Sequence, residues 1–264
     1  MNIFVREVKS NLRSLIIWGV IVILFVTIGI AKFSAYEGNP EMLAVLDSMP
    51  QMLMEAFSMR AFNLTTISGF IGLMFTYYAL MLGIAAAMWG SDIISKEERD
   101  KTVEFSLTLP VTRSRLVTAK ALAALVNCIG LLLITWATTV VSASQYQPGS
   151  EVHLFIRLCM LALFVLQLIF LALGILLGCA TKQYRRASSL AVSLLLGTYF
   201  LSVISAMNKD LDFLKYFTPF EYFDPVKLLN ESRMEGTFLA LSAGVILVSM
   251  AAAYRLYARR DLYI

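Results

Sequence analysis

An all-α integral membrane protein of six transmembrane helices is the fold class this sequence predicts, and three observations carry it. The chain of 264 residues is 59% hydrophobic and only 15% charged, with a mean hydropathy of +0.74, whereas a water-soluble globule carries about 25% charged residues. Runs free of Asp, Glu, Lys and Arg recur at 14–31, 61–91, 121–150, 158–181, 187–208 and 236–254, each near or above the ~20 residues a helix needs to cross the hydrocarbon core. The runs are continuously apolar, as in LIIWGVIVILFVTIGIA, where the strands of a membrane barrel would alternate. Residues 1–264 therefore read as one transmembrane domain, with spans at about 14–31, 63–91, 117–143, 155–180, 187–207 and 236–256.

The elements follow in chain order. Residues 1–14 place Phe4, Val8, Leu12 and Leu15 on one helical face with Arg6, Lys9 and Arg13 largely off it. That pattern predicts an amphipathic helix lying at the inner membrane surface before the chain turns into the first span. The first run is longer than a signal-peptide core and follows a polar segment, so it reads as a retained span. Trp18 and Trp89 fall near the inner ends of their spans, as interface anchors do.

Lys and Arg set the orientation. With both termini inside, the inner segments hold fifteen of the twenty-two basic residues, the excess that marks the cytoplasmic side. The topology is therefore N-in and C-in, and the net charge of +4 needs no nucleic acid to explain it. Cys128, Cys159 and Cys179 all lie in apolar runs without a CxxC pair and read as small buried residues. The single His153, beside Glu151, has no set of metal-ligand partners around it in the sequence.

Two outer loops are distinctive. From Tyr36 to Arg60 the chain is rich in methionine (Met42, Met49, Met52, Met54 and Met59) and apolar enough, with Leu43, Leu46, Leu53 and Phe57, to pack over the spans. Between spans five and six, Phe213, Tyr216, Phe217, Phe220, Tyr222 and Phe223 are interleaved with charges and interrupted by Pro219 and Pro225. Aromatics mixed with charge suit a membrane–water interface, and the prolines break any long helix, so short re-entrant or interfacial helices are expected here. Their role is that of an outer gate or a lid.

What the spans lack narrows the function. They hold no Asp, Glu, Lys or Arg, only neutral polar groups such as Asn63, Asn127 and Gln167, which disfavours ion-coupled transport because such coupling needs a titratable or coordinating group in the bilayer. GxSxG and HExxH are absent, as is a GxxxxGK[ST] phosphate loop, so no familiar hydrolase or ATPase chemistry resides in this chain.

The inner loop between spans two and three then stands out. SKEERDKTVEFSLTLPVTRSRLVTAK, residues 95–120, carries ten charged side chains; at about 2.5 to 3.5 kcal/mol each, placing them at the bilayer centre would cost roughly 25 to 35 kcal/mol. Span two is expected to continue as a charged helix through Glu104, supported by Glu97 and Lys101 at i, i+4. A short helix then sets Val103 and Leu107 on one face and Phe105 and Leu109 on another, and Pro110 ends it. Thr112 or Ser114 caps the third span. Apolar side chains ringed by charge make a docking element for a soluble partner.

These residues carry a resemblance. KEERDKTVEFSLTLPVTRSRLVTAKALAAL, TPFEYFDP and the terminal YARRDLYI resemble segments of bacterial ATP-binding cassette exporter permeases of the ABC-2 type, over effectively the whole chain. One departure is Asp100-Lys101 before Thr102, where many members have a Gly. The resemblance implies a permease subunit of the bacterial cytoplasmic membrane, multi-pass, working with two ATP-binding subunits and a second permease subunit as a homo- or heterodimer. ATP and Mg would then be bound by the partner ATPase and not by this chain. It further implies an ATPase-coupling helix, mapped onto Glu97, Glu98, Arg99, Thr102, Val103, Glu104, Phe105, Leu107, Leu109, Pro110 and Arg113, and an outer segment of Phe213, Phe217, Pro219, Phe220, Tyr222, Phe223 and Pro225. An ATP-independent secondary carrier and a non-transporting membrane sensor or scaffold are the other classes open to such a sequence. The exported substrate is not encoded in any polar constellation of the spans.

Overall fold

The structure, a computed structural model, describes residues 3–37, 39, 62–99, 112–181, 183–207 and 209–259. Among the described residues seven α-helices run through it: α1 (Ile3–Ala31), α2 (Ile67–Arg99), α3 (Arg113–Ala143), α4 (Ser150–Ala180), α5 (Tyr184–Met207), the short α6 (Pro225–Glu231) and α7 (Gly236–Ala258). All but α6 are long and apolar enough to cross a membrane. Four 3₁₀ pieces, Lys32–Ala35, Ser144–Tyr146, Lys209–Tyr216 and Pro219–Phe223, lie between them. The protein is thus a multi-pass membrane protein with the six expected spans.

The helices form one bundle whose central pair, α2 and α4, makes the most extensive contact among the described residues. Small residues make it possible. A Cβ added at Gly174 would lie 2.5 Å from the Ala87 carbonyl oxygen, and one at Gly90 would lie 2.5 Å from that of Leu171. The two backbones therefore touch, as small residues four apart allow between membrane helices; Gly174 and Gly178 have that spacing on α4, Ala87 and Ser91 on α2. α1 lies along α3, α5 against α2, and α7 against α4. The peripheral helices α1, α5 and α7 bury few of their side chains, and their exposed residues include Ile16, Ile17, Leu194, Phe200, Leu247 and Val248. In hydrocarbon such exposure is the favourable state.

Three expectations need correction. The first is a turn between an interfacial helix and span one: α1 is one unbroken helix from Ile3 to Ala31, because nothing between residues 1 and 18 breaks a helix. Its inward face also differs, since Leu12 is 51% exposed while Glu7 is buried. The third concerns Trp89, which is buried inside the bundle with its indole N–H donating to Ser14 Oγ at 2.9 Å, and so is no interface anchor.

Thr112 caps α3, accepting from the Arg115 amide at 3.3 Å. Asn63 organises the entry to α2: its side-chain oxygen accepts from the Thr65 amide at 3.1 Å and its carbonyl from the Thr66 hydroxyl at 2.8 Å, which moves the helix start to Ile67. α4 begins at Ser150 and carries Arg157 outward. Cys128, Cys159 and Cys179 are buried, as expected. The methionine-rich loop, including Met42, Met49, Met52, Met54 and Met59, lies outside the described residues.

Candidate functional site at the base of the second helix

The last turn of α2, Lys96–Arg99, is helical, so the helix does extend past the apolar run as far as Arg99. Of the residues proposed to meet a partner, Glu97, Glu98 and Arg99 close this helix, with side chains outside the described set. Thr102, Val103, Glu104, Phe105, Leu107, Leu109 and Pro110 lie outside the described residues. The chain is described again from Thr112, and Arg113 is the first residue of α3. The two anchors of the segment are therefore well defined, and so are the contacts that hold them.

Both anchors sit at the end of the bundle that also carries the two termini, and polar bonds tie the helix ends together there. Glu7 of α1, only 2% exposed, pairs with Lys96 of α2, Nζ to Oε2 at 3.2 Å, and with its neighbour Arg6 at 3.2 Å. Lys96 Nζ also donates to Ser10 Oγ. Two helical turns earlier on α2, Trp89 holds Ser14. Lys120 of α3 is fully buried and its Nζ donates to the Ile93 carbonyl of α2 at 2.9 Å. Arg113 Nη1 donates to the Tyr257 and Ala258 carbonyls at the end of α7, each at 3.3 Å. A cation at those terminal carbonyls also suits the negative end of the helix. The Thr118 hydroxyl meets the Tyr254 hydroxyl at 2.7 Å. The Ser91 hydroxyl lies 3.1 Å from that of Ser188, joining α2 to α5.

Sequence reasoning missed Glu7 and Lys96 as a pair. The available signal was position: on a helical wheel Glu7 and Ser14, seven residues apart, flank the apolar face of Phe4, Val8 and Leu15 on the same side. Lys120 stood in the quoted motif, but nothing in its neighbours reveals an ammonium directed to a helix carbonyl.

At the opposite end, the segment after α5 folds as the short helical pieces expected of it, and the proline and aromatic residues divide into two sets. Pro219, Tyr222 and Phe223 are buried, whereas Phe213 is 57% and Phe217 68% exposed. The Phe220 ring sits 5.5 Å from both Phe170 and Tyr199. Tyr222 stacks on Phe238 at 5.2 Å and its hydroxyl donates to the Tyr216 carbonyl at 2.6 Å; burial raises its pKa above the usual phenol value. Pro225 opens α6 behind Asp224, whose carboxylate accepts from the Val226 amide at 2.8 Å. Lys227 pairs with Glu235 at 2.6 Å on the surface. Between this segment, α2 and α5 lies a cleft of about 90 Å³, lined by Phe75, Ala79, Tyr199, Val203, Phe220 and Glu221, with room for a few waters and not for a large ligand. His153 lies half-buried in the first turns of α4.

Six long apolar helices packed as one bundle, tied by polar bonds where α1, α2, α3 and α7 end together, are the architecture of a multi-pass membrane protein. The family model for the ABC-2 family transporter protein matches residues 1–262, and the chain belongs to that family. No curated protein matches the sequence significantly. The family is a membrane component that works with an ATP-binding subunit.

Proposed function

We propose that this chain is the membrane-spanning permease subunit of an ATP-binding cassette exporter in a bacterial cytoplasmic membrane, driven by ATP hydrolysis on separate subunits. Its termini and the 97–111 segment face the cytoplasm, in keeping with the excess of Lys and Arg at that end. Two ATP-binding subunits, which hold the ATP and Mg, and a second permease subunit complete the machine. Val103, Phe105, Leu107 and Leu109 supply contact area to the ATPase, while Glu97, Glu98, Arg99 and Arg113 set orientation and charge complementarity. The outer segment with Phe213, Phe217, Pro219, Phe220, Tyr222, Phe223 and Pro225 caps the pathway at its exit.

The observation that carries this reading is that α2 runs unbroken from Ile67 to Arg99. A continuous helix transmits a push at its end along its length, whereas a hinge at the membrane surface would absorb it. ATP-driven closure of the partner subunits tilts α2, and two-state packing of the permease halves moves the cargo outward. The test replaces Phe105 and Leu109 with Asp, confirms membrane insertion, and measures co-purification with the cognate ATPase. Loss of the complex is expected, and an undiminished complex with ATP-dependent export refutes the docking role.

A further inference from the structure

α1 packs along α3 through most of its length and against α2 far less. Near the outer end its contacts with α2 include non-directional aromatic ones: Phe25 lies 6.0 Å from Tyr77 and 6.4 Å from Tyr78. At the base they are polar and directional. Glu7 is nearly sealed from solvent, and its partner Lys96 lies in the last turn of α2. Apolar faces slide past one another at little cost, but separating a buried carboxylate from its ammonium strands a charge in a low-dielectric site. The Trp89–Ser14 bond, two turns deeper, fixes a second point and so the rotation of α1 about its own axis.

We propose that Glu7, through Lys96 and with the Ser14–Trp89 bond beneath it, is the positioning residue that makes α1 move with the base of α2 during the transport cycle. The inference rests on the reading of α2 as the driven element. It makes the N-terminal helix a moving part of the machine and not a passive membrane anchor. Glu7 touches neither cargo nor nucleotide; its role is to keep a second helix in register with the first.

The test uses the complete complex with its ATPase in lipid nanodiscs, the labelled chain diluted into unlabelled chain, and spin-label pairs on exposed positions. Lys9→Cys with Arg255→Cys follows α1 against α7, and Met88→Cys with Arg255→Cys follows α2 against α7. Distances are measured without nucleotide and after trapping with ATP and vanadate. In the wild-type background both distances shift on trapping. With Glu7→Gln the α2 shift persists and the α1 shift is lost; Lys96→Gln serves as the second arm should Glu7→Gln fail to insert. The exchanged pair, Glu7→Lys with Lys96→Glu, restores the α1 shift, which a purely structural role for Glu7 would not require. An α1 shift unchanged in both single variants, or a wild-type α1 that stays fixed while α2 moves, overturns the inference and leaves the permease reading standing. A wild-type chain that binds no ATPase, or whose α2 does not shift, overturns both.

Discussion

Gly174→Ala tests the central contact of the bundle with a single methyl group. Its Cβ would stand 2.5 Å from the Ala87 carbonyl oxygen and 3.2 Å from both the Ala87 Cα and carbonyl carbon. Ordinary contact begins at 3.4 Å, so the carbonyl is short by about 0.9 Å, and the atoms in the way are backbone, which has no rotamer to change. α2 and α4 must therefore part locally, loosening the contacts at Gly90, where the Leu171 oxygen stands at 2.5 Å, and at Gly178, where the Ser91 oxygen stands at 2.9 Å. Overpacking of this kind costs about 1–3 kcal/mol, or a fall of several degrees in apparent Tm at roughly 2–4 °C per kcal/mol for a chain of this order. Gly90→Ala should cost a similar amount, and the double variant less than the two together, because one separation of the helices relieves both clashes. Gly197→Ala and Gly244→Ala are the controls: nothing lies within 4 Å of either added methyl, and Ala is the better helix former by about 1 kcal/mol. The assay is thermal unfolding followed by size-exclusion chromatography in detergent. A Gly174→Ala protein as stable as wild type, or a Gly197→Ala protein that falls as far, refutes the close-contact argument.

Gln167 is fully buried and neither of its amide atoms has a partner; Gln167→Leu should therefore raise apparent Tm, by about 1–3 kcal/mol of recovered desolvation, and a fall in the same thermal assay would show that the amide is satisfied after all. Arg113→Met removes the donor to the Tyr257 and Ala258 carbonyls, and hydrogen exchange in the last turn of α7 should rise by about an order of magnitude, as expected for losing a charged hydrogen bond. For Tyr222 the pKa is raised by burial, so the protonated donor to Tyr216 persists in the folded state above the pH at which an unfolded tyrosine ionises. Its contribution is intact below about pH 10 and is lost as pH rises through the folded value; Tyr222→Phe should lower stability at neutral pH and remove that part of the alkaline loss, measured as Tm against pH.

The spans were legible because the hydrocarbon core imposes one rule everywhere: a helix must be apolar for its full crossing, so charge-free runs locate it. The short helices after α5 were legible for a similar reason, since Pro219 and Pro225 stop any longer element. The close contact of α2 with α4 was also written in the sequence, as GILLG at residues 174–178, though the spacing alone names no partner helix. Glu7 and Lys96 were not legible as a pair. They stand 89 positions apart, and only the stacking of α1 beside α2 makes them neighbours. The continuity of α1 was obscured by composition: a basic, amphipathic start suggests a helix lying flat on the membrane, but charge pattern specifies which solvent a face prefers, not where an axis bends. A bend needs its own cause, such as proline or paired small residues, and residues 3–18 hold neither.

Taken together, the packing divides the bundle into parts that can and cannot move independently. α2 and α4 meet backbone to backbone at Gly90 and Gly174, a contact that loses its close fit on sliding even slightly, so they travel as one unit. α1 and α3 form the second intimate pair, joined along their length by side chains and with only Gly19 and Gly130 drawn in close, to Ile134 and Leu15 at 3.1 and 3.2 Å. Between the two pairs the directional ties are polar and lie at the terminal end: Glu7 with Lys96, Ser14 with Trp89, and Lys120 with the Ile93 carbonyl. At the far end the contacts include tilted and edge-on rings 5.5 to 6.4 Å apart, which tolerate tilt. On the proposed mechanism, a push delivered at the base of α2 is shared by both pairs at that end and splays them at the other, where the 209–231 segment rests on α5, α4 and α7. The asymmetry of bonding along the bundle axis, more than any single residue, is what gives such a push a direction.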